Sequence, residues 1–543
     1  MPRRPPVSRI AHIQAPTGGW NAFDSVAEMP PTDAIQLDNF FPETTWCRLR
    51  RGSTLYATLP VTTNPVRSLM TYSTAAGDKL LAASGGSIYD ATPGGAGATW
   101  DNFNWDHADW DNLASIPTVA SGFTSDVWQW VNFSTPGGQF IVAVNGTPIT
   151  GVTTGNQWIY NGSTWTAQSG NTWGPSGTPP PISNTWCCIA AFQQRLFFTG
   201  TDNLYLYYLP VNVLQDEVHG IDLGSFLPLG GQIACMGTWT RDDGAGGMDD
   251  LLVIATTNGE VLSYSGINPD DSNAWQMIGR FQIGRPVSGH RQLCRLGPDM
   301  MLICEDGCQA LAHYLALGTS QALTTSLSRK IGNAVSAAVR LNKGAFGWDA
   351  ILYPKNNALY VNVPQQDGSF QQYVVNTITG AWCRYLGLQA YCWARIGDNL
   401  YFGGANGTIV QADTGASDQG QPIVYNVVTA FQTGDSAMQK RATMCRPYIV
   451  TDWGGAPLLD VNVDYSIEGV SSPLTDINAN STAWDGFNWD AAPWDTGPLP
   501  VNNWYSVQGI GNAFAIHMQG ASMANVLNLL AFDLALEGGV GFV

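Results

Sequence analysis

The chain has 543 residues and a formal net charge of −18; 44% of its residues are hydrophobic and only 12% are charged. This length exceeds what one hydrophobic core normally supports, so two or three domains are expected. The hydrophobic fraction excludes a largely disordered chain. The low charged fraction and the 60 glycines favour strands joined by tight turns over helices. A surface this acidic repels phosphate groups, which argues against a reader of nucleic-acid sequence.

The charge is unevenly distributed along the chain. Residues 1–67 contain seven Arg and five acidic residues, so this part carries +2 and the remainder carries −20. An acidic body lets a polyanion pass without binding it, so the charge is compatible with a conduit for DNA. Only five of the 24 basic residues are Lys, and a preference for Arg points weakly to protein interfaces.

The first of three zones, residues 1–60, is irregular and rich in Pro and Arg. It has little core of its own, so we expect an N-terminal arm that packs on other domains or on neighbouring subunits. Arg48, Arg50 and Arg51 form a candidate interface within it. The three side chains either bind phosphates or a partner carboxylate, or they form ion pairs on the surface of the chain itself. The sequence leaves both interpretations open.

The second zone, residues 61–420, repeats short apolar strands separated by Gly- or Asn-rich turns. Asn-Gly and Gly-Gly between strands indicate tight hairpins, because a type I′ turn needs positive φ at both central residues. Repeated hairpins predict a β-propeller of about six blades with loop insertions, and a double β-sandwich is the alternative. The clearest hairpins flank Gly85-Gly86, Thr201 to Asn203, Asn258-Gly259, Asn356-Asn357 and Asn406-Gly407.

The third zone, residues 421–543, contains segments in which apolar and polar residues alternate, such as Leu458 to Tyr465 and Val526 to Leu536. Alternation of this kind suits strands with one buried and one solvated face. We therefore predict an antiparallel β-sandwich formed largely by this C-terminal region. A short helix is expected at about residues 310–316, and the fold class as a whole is all-β.

One twelve-residue pattern, W-D-x-F-N-W-D-x-A-x-W-D, occurs in two distant parts of the chain. Tryptophan at every fifth residue fits neither a strand nor a helix face, so both copies are predicted to be chains of turns. Each Asp can accept backbone N–H bonds while the indole before it covers the turn. The repeated Trp-Asp pairs are Trp100, Asp101, Trp105, Asp106, Trp110 and Asp111 in the first copy, and Trp484, Asp485, Trp489, Asp490, Trp494 and Asp495 in the second.

Two interpretations of the Trp-Asp copies compete. Either they are self-packed loops that clasp neighbouring elements, or exposed Trp rings stack on sugars while Asp side chains hydrogen-bond to them. The structural interpretation is favoured, because such patterns usually resolve to packing. Calcium binding by the Asp row is less favoured, since this spacing does not converge on an ion as a calcium loop does.

The sequence contains no constellation that predicts catalysis. The six His residues are isolated, and there is no nucleophile elbow, Walker loop or dinucleotide fingerprint. We therefore expect that the chain is not an enzyme and has no catalytic residues, no cofactor and no metal. An acidic loop such as Asp270-Asp271 nevertheless leaves calcium binding open as an alternative. The ten Cys show no disulfide spacing, which predicts buried free thiols in a protein made in a reducing cytosol. No stretch approaches the ~20 apolar residues of a membrane span.

The chain resembles the tail nozzle proteins of short-tailed bacteriophages, also called tail tubular protein B, and the related packaged-DNA stabilisation proteins. The resemblance spans most of the chain and rests on short motifs and domain order. Its N-terminal motifs are Gly18 to Asn21, Pro30-Pro31, Ala34, Leu37, Asn39, Pro42 and Arg48 to Gly52. Its C-terminal motifs are Lys440 to Thr443, Arg446-Pro447, Val463 to Tyr465, the second Trp-Asp copy, Trp504 to Gly509 and Glu537 to Gly539.

The resemblance implies a structural component of the virion tail, assembled in the host cytoplasm. Subunits of this type form a hexameric nozzle ring, which is the distal channel for genome retention and ejection. The implied partners are copies of the chain itself, a tail adaptor protein, tail fibre or needle proteins, and passing genomic DNA without sequence specificity. A second hypothesis, from another class, is a carbohydrate-binding β-propeller that recognises cell surfaces through the Trp-Asp copies.

Overall fold

The computed structural model describes residues 8–92, 116–152, 154–174, 184–201, 203–241, 249–297, 299–312, 314, 326–433, 438–452, 457–470 and 498–538. These residues form a nearly all-β protein with a six-bladed β-propeller and further sheets at the C-terminus. The predicted fold class is confirmed.

Six four-stranded blades make up the propeller, and a smaller three-stranded sheet stands between blades 4 and 5. Blade 1 has β7 (Ser68–Thr74), β8 (Gly77–Ser84), β9 (Ser87–Asp90) and β10 (Thr118–Ser121). Blade 2 has β11 (Gln129–Thr135), β12 (Gly138–Val144), β13 (Trp158–Tyr160) and β14 (Trp165–Ala167). Blade 3 has β16 (Trp186–Phe192), β17 (Arg195–Gly200), β18 (Tyr205–Tyr208) and β19 (Glu217–Asp222), with β15 (Thr172–Trp173) parallel to β19.

The remaining propeller strands follow in chain order. Blade 4 has β20 (Ile233–Arg241), β21 (Asp249–Thr256), β22 (Glu260–Gly266) and β23 (Trp275–Gln282), and the three-stranded sheet has β24 (Leu293–Leu296), β25 (Asp299–Cys304) and β26 (Gly307–Ala310). Blade 5 has β27 (Asp349–Tyr353), β28 (Ala358–Pro364), β29 (Phe370–Asn376) and β30 (Trp382–Leu386). Blade 6 has β31 (Cys392–Ile396), β32 (Asn399–Gly403) and β33 (Thr408–Ala412), and β6 (Ser53–Thr58) is its fourth strand.

The ring is closed by joining two distant parts of the chain. The first strand of each sheet contacts the first strand of the next, from β7 through β11, β16, β20, β24, β27 and β31 back to β7. β6 precedes β7 in the chain, yet it pairs antiparallel with β33 at the outer edge of blade 6. The last blade is therefore completed by a strand from the N-terminal part, so the ring cannot open without breaking this ladder.

The C-terminal sheets incorporate the N-terminal arm. One sheet has seven strands in the order β37-β35-β40-β5-β4, with β1 on β40 and β38 on β35. The other is a nine-stranded sheet that begins as blade 5 and continues through β3-β34-β39-β36, with β2 on β3. The strands outside the propeller are β1 (Ser8–Gln14), β2 (Gly19–Trp20), β3 (Asp33–Asp38), β4 (Phe40–Pro42), β5 (Cys47–Leu49), β34 (Ile423–Thr429), β35 (Lys440–Thr451), β36 (Leu458–Val463), β37 (Leu499–Val501), β38 (Tyr505–Gly511), β39 (Phe514–Ser522) and β40 (Leu527–Gly538).

Blades 5 and 6 share a hydrophobic core with the sandwich. β3 lies between β30 of blade 5 and β34 of the sandwich, and Arg384 of β30 holds Asp38 of β3 through two hydrogen bonds of 2.7 and 2.8 Å. Buried side chains from both parts, such as Phe40, Trp382 and Phe532, belong to the same hydrophobic cluster. Blades 1 to 4 have hydrophobic clusters of their own, so the sandwich is joined to the propeller on the side of blades 5 and 6.

The five predicted hairpins all form, and the backbone angles confirm a type I′ turn at two of them. Gly85 and Gly86 between β8 and β9 have φ of 57° and 78°, and Asn406 and Gly407 between β32 and β33 have φ of 55° and 67°. Positive φ at both residues is what a type I′ turn requires. These turns give each pair of strands a fixed register without help from distant parts of the chain.

Helix is scarce in the described residues. α1 (Gly332–Asn342) lies between the three-stranded sheet and blade 5, and short 3₁₀ turns span Gly224–Phe226, Arg329–Ile331 and Pro354–Asn356. Nothing in the sequence pattern predicts α1. Of the helix expected at about residues 310–316, Leu311, Ala312 and Tyr314 are helical, and residues 313, 315 and 316 lie outside the described residues. No helix among the described residues is long and apolar enough to cross a membrane. All ten cysteines are free and buried, as predicted.

Candidate functional sites: the propeller axis and the outer sandwich face

The first residues of the inner strands meet at one end of the propeller axis. The Ser68 hydroxyl at the start of β7 donates to the carbonyl oxygen of Asp126 at 2.8 Å and accepts the backbone N–H of Trp128 at 2.8 Å, just before β11. Between the next two inner strands around the ring, the Asp349 carboxylate at the start of β27 accepts the backbone N–H of Trp393 in β31 at 3.2 Å. Strand starts from neighbouring blades are therefore tied together around the axis.

Arg291 crosses this end of the axis. It precedes β24, yet its guanidinium donates to the carbonyl oxygens of Arg67 and Trp128, both at 3.0 Å, and to the Ser68 hydroxyl at 2.6 Å. Around the ring, the three-stranded sheet is separated from blades 1 and 2 by two blades on each side. A side chain that joins them must span the centre, so Arg291 closes the channel at this end.

Two carboxylates accompany Arg291. Burial raises the pKa of Asp349 to about 6, although the positive charge of Arg291 and the N–H of Trp393 act in the opposite direction. The carboxylate of Asp126 lies 3.4 Å from Arg67, whose guanidinium also sits 5.4 Å from the centre of the Phe346 ring. The axial end is thus a polar seal of alternating charge, and its Asp349 titrates near neutrality.

The interior next to this seal is also polar. Gln292 is completely buried, and neither end of its side-chain amide has a protein partner among the described residues. Buried polar groups of this kind are normally satisfied by water or by a polar ligand. Gln292 is therefore a buried polar side chain beside the seal that a bound water molecule could satisfy.

The outer face of the seven-stranded sandwich sheet is the second candidate site. Ile10 of β1 and Met444 of β35 both lie opposite Ala535 of β40, and Ile510 of β38 lies two positions along the same face. Their exposed fractions are 61%, 40% and 52%, respectively, and neighbouring residues such as Cys445 of β35 and Val507 of β38 are buried. We call Ile10, Met444 and Ile510 the outer apolar patch, and such patches mark surfaces for protein contacts.

A charged cluster borders the outer apolar patch. The Asp533 carboxylate accepts hydrogen bonds from Arg446 at 2.5 Å and Tyr448 at 2.8 Å, and it lies 2.9 Å from His12 Nδ1. Burial acts to raise the pKa of Asp533, but these hydrogen bonds hold it below its ordinary value. The Arg446 guanidinium also stacks over Trp504, 4.6 Å from the ring centre. The patch thus has a rigid polar rim, as protein interfaces do.

The three arginines of the candidate interface differ in their surroundings. Arg50 is buried and donates to Asn39, Leu386 and both carboxylate oxygens of Asp418. Arg48 pairs with Glu43 at 2.7 Å. The side chain of Arg51 is exposed. Arg50 therefore clamps the arm to blade 5 and to the loop after blade 6, and Arg51 is the one placed to meet a partner.

Both copies of the Trp-Asp pattern, residues 100–111 and 484–495, lie outside the described residues. The clasping and sugar-stacking interpretations therefore both stay predictions.

A cluster of two thiols and an imidazole was not predicted from the sequence. Cys187 Sγ lies 3.9 Å from Cys188 Sγ, and Cys188 Sγ lies 3.2 Å from His290 Nδ1. The adjacent cysteines are visible in the sequence, but His290 is 102 residues away from Cys188 and lies on the segment that leads into β24. Only the closed propeller brings the three side chains together.

Comparison with known proteins gives only distant structural likenesses. No family model matches the chain, and no curated protein matches it. The computationally designed protein Ika8 is 9% identical, with a TM-score of 0.33 over 66% of this chain and 99% of its own. BBS1N, solved in complex with ARL6DN, is 14% identical, with a TM-score of 0.29 over 49% of this chain and 74% of its own. The extracellular domain of BT4673 from B. thetaiotaomicron is 9% identical, with a TM-score of 0.34 over 66% of this chain and 39% of its own. Likeness at this level carries no functional argument.

Proposed function

We propose that the chain is a structural subunit of a bacteriophage tail, where copies form a hexameric nozzle ring for genome retention and ejection. The outer apolar patch is the observation that carries this proposal, because exposed apolar side chains grouped on one face of a sheet favour contact with another protein surface. The net charge of −18 and the motif resemblance to tail nozzle proteins support it further. In this proposal the ring also meets a tail adaptor and fibre or needle proteins in the virion.

In this proposal DNA would not run along the axis of a single propeller. Arg291 joins opposite sides of the ring, and the channel of one propeller is filled by side chains at that end. A duplex therefore has no path through a single subunit. The lumen of the proposed ring lies between subunits, where an acidic lining would let the genome slide without binding.

The ring requires head-to-tail contacts. A closed ring of identical subunits joins two different surfaces of each copy, because a self-complementary face produces only a dimer. In the proposal the outer apolar patch is one of these surfaces. The matching surface on the next copy is apolar, since it must cover Ile10, Met444 and Ile510, while Arg446 and His12 at the rim already contact Asp533.

The test uses particles of the phage that encodes the chain, analysed by quantitative mass spectrometry and electron microscopy. The expected result is a stoichiometric tail component, with Met444→Glu preventing its incorporation. Ile267→Glu is the matched control, because Ile267 is 66% exposed in a propeller loop far from the patch in sequence and should leave incorporation intact. Absence of the chain from wild-type particles would overturn the proposal. Normal incorporation of Met444→Glu would show that the outer apolar patch is not a contact surface between subunits, and the proposal would lose the observation that carries it.

A further inference from the structure

Two adjacent cysteines at the start of β16 point to the same place, which a regular strand does not allow. Successive side chains of a strand point to opposite faces. The pairing of β16 with β17 shifts register between Trp186 and Cys188, so Cys187 is the extra residue of a bulge. Bulges re-aim side chains in this way. As a result, both thiols are buried, with exposed fractions of 4% and 3%, and their sulfur atoms lie 3.9 Å apart.

His290 completes the group from another sheet. It lies on the segment that leads into β24, and its Nδ1 is 3.2 Å from Cys188 Sγ and 2.6 Å from the carbonyl oxygen of Ala234 in β20. The donor atoms of Cys187, Cys188 and His290 all lie within 4.8 Å of one another. Blade 3, blade 4 and the three-stranded sheet thus each contribute atoms to one cluster beside the inner strands of the ring.

These separations match the edges of a tetrahedral metal site. With Zn–S bonds of about 2.3 Å and a Zn–N bond of about 2.0 Å, the two sulfurs should be about 3.8 Å apart and sulfur and nitrogen about 3.5 Å. The observed 3.9 and 3.2 Å are close to both values. In the metal-free chain His290 Nδ1 is hydrogen-bonded to the carbonyl oxygen of Ala234 at 2.6 Å, which is shorter than the N–O edge of about 3.3 Å in a tetrahedral zinc site. Metal binding would therefore release the Nδ1 proton and break this hydrogen bond, and a water molecule would be the fourth ligand.

We propose that Cys187, Cys188 and His290 bind one thiophilic metal ion, with Zn²⁺ as the best geometric match. Thiolate and imidazole are the ligands that Zn²⁺ prefers, and a bridge of this kind would clasp blade 3 to the three-stranded sheet across blade 4. The site is independent of the proposed tail function. Its role is structural, because the metal would stiffen the inner ring beside the axial seal.

The test uses the reduced, full-length chain after treatment with a chelator. Zn²⁺ is titrated in competition with a chromophoric chelator, and Co²⁺ absorption reports thiolate coordination and tetrahedral geometry. We expect one equivalent of Zn²⁺ and a higher Tm in its presence. Cys188→Ser and His290→Gln should each weaken binding at least ~10-fold and abolish the Tm increase. Cys445→Ser is the matched control, because Cys445 is a buried free thiol of the sandwich and should behave like wild type.

Two variants keep the outcome interpretable if a cysteine change disturbs folding. His290→Gln retains a side-chain donor for the Ala234 carbonyl, so it should fold and still lose the metal. A wild-type chain that binds no Zn²⁺, or a Cys187→Ser/Cys188→Ser double variant that binds it undiminished, would overturn the proposal. Binding of Cu(I) without Zn²⁺ would overturn the tetrahedral assignment, since Cu(I) accepts the same donors in other geometries.

Discussion

The propeller and the sandwich are built from contacts of different sequence range. Most propeller strands pair with the strand before or after them in the chain, as β8 and β9 do. The sandwich depends on pairs such as β1 with β40, where His12 and Asp533 are 521 residues apart. Local hairpins define their own register, whereas the sandwich forms only after both ends of the chain meet. The propeller is thus specified locally and the sandwich globally, and β6 and Arg50 join the two.

The largest expected effect tests this junction. Arg50→Ala leaves the Asp418 carboxylate and the Leu386 carbonyl oxygen without their buried donor, so it should lower the free energy of unfolding by about 3–5 kcal/mol. Arg51→Ala, one residue away and exposed, should change it by less than about 0.5 kcal/mol. Urea unfolding of both variants gives the comparison. Equal effects would show that the arm is not clamped as described.

The next effect is a pH dependence at the propeller axis. The pKa of Asp349 is raised to about 6 from 3.8, so its buried charge destabilises the folded state fully above pH 6. This penalty is relieved as the pH falls from about 6 to about 3.8. The difference in unfolding free energy between wild type and Asp349→Asn should therefore move in favour of wild type, by about 2.4 kcal/mol, between pH 7 and pH 4. A difference that is flat with pH would contradict the burial of a charged Asp349.

A smaller effect tests whether the axis is held by a long-range contact. Arg291→Ala removes hydrogen bonds to the Arg67 and Trp128 carbonyl oxygens and to Ser68, and should cost about 2 kcal/mol. Arg280→Ala is the control, because its guanidinium makes an exposed contact with the Phe226 carbonyl oxygen. Hydrogen exchange should rise at the starts of β7 and β11 in the first variant alone. Unchanged exchange there would mean that the blades close without Arg291.

The smallest effect lies in a local turn. Asn406 has φ of 55° between β32 and β33, a conformation that Ala adopts poorly, so Asn406→Ala should cost about 1 kcal/mol. Asn399→Ala, at the exposed start of β32, should be nearly neutral. Thermal unfolding separates the two. A cost for Asn406→Ala as large as that of Arg50→Ala would contradict the division into locally and globally specified regions.

The sequence predicts those structural features, such as tight turns, that are determined by residues adjacent in the chain. Gly85-Gly86 and Asn406-Gly407 predict their turns because a type I′ turn depends only on whether its two central residues accept positive φ. The register of β1 on β40 leaves no such mark, since alternation says which face is buried but not which strand lies alongside. The same holds for the metal-binding proposal: the Cys187-Cys188 pair is visible, but its bulge and the approach of His290 arise only in the closed ring.

The arginines show the same limit at the level of single residues. Arg50 and Arg51 are adjacent and chemically identical, yet one is buried in an ion pair and the other is exposed. The partner of Arg50, Asp418, is 368 residues away. No property of the arm itself distinguishes the two side chains, so only the folded chain assigns their roles.

Electron cryomicroscopy of intact particles tests the central proposal most directly. The account predicts a hexameric ring of this chain at the distal tail, with each propeller axis closed at Arg291 and genome density running between subunits. The outer apolar patch of Ile10, Met444 and Ile510 should be covered by the neighbouring copy. Particles without the chain, or DNA density along the axis of an individual propeller, would contradict it.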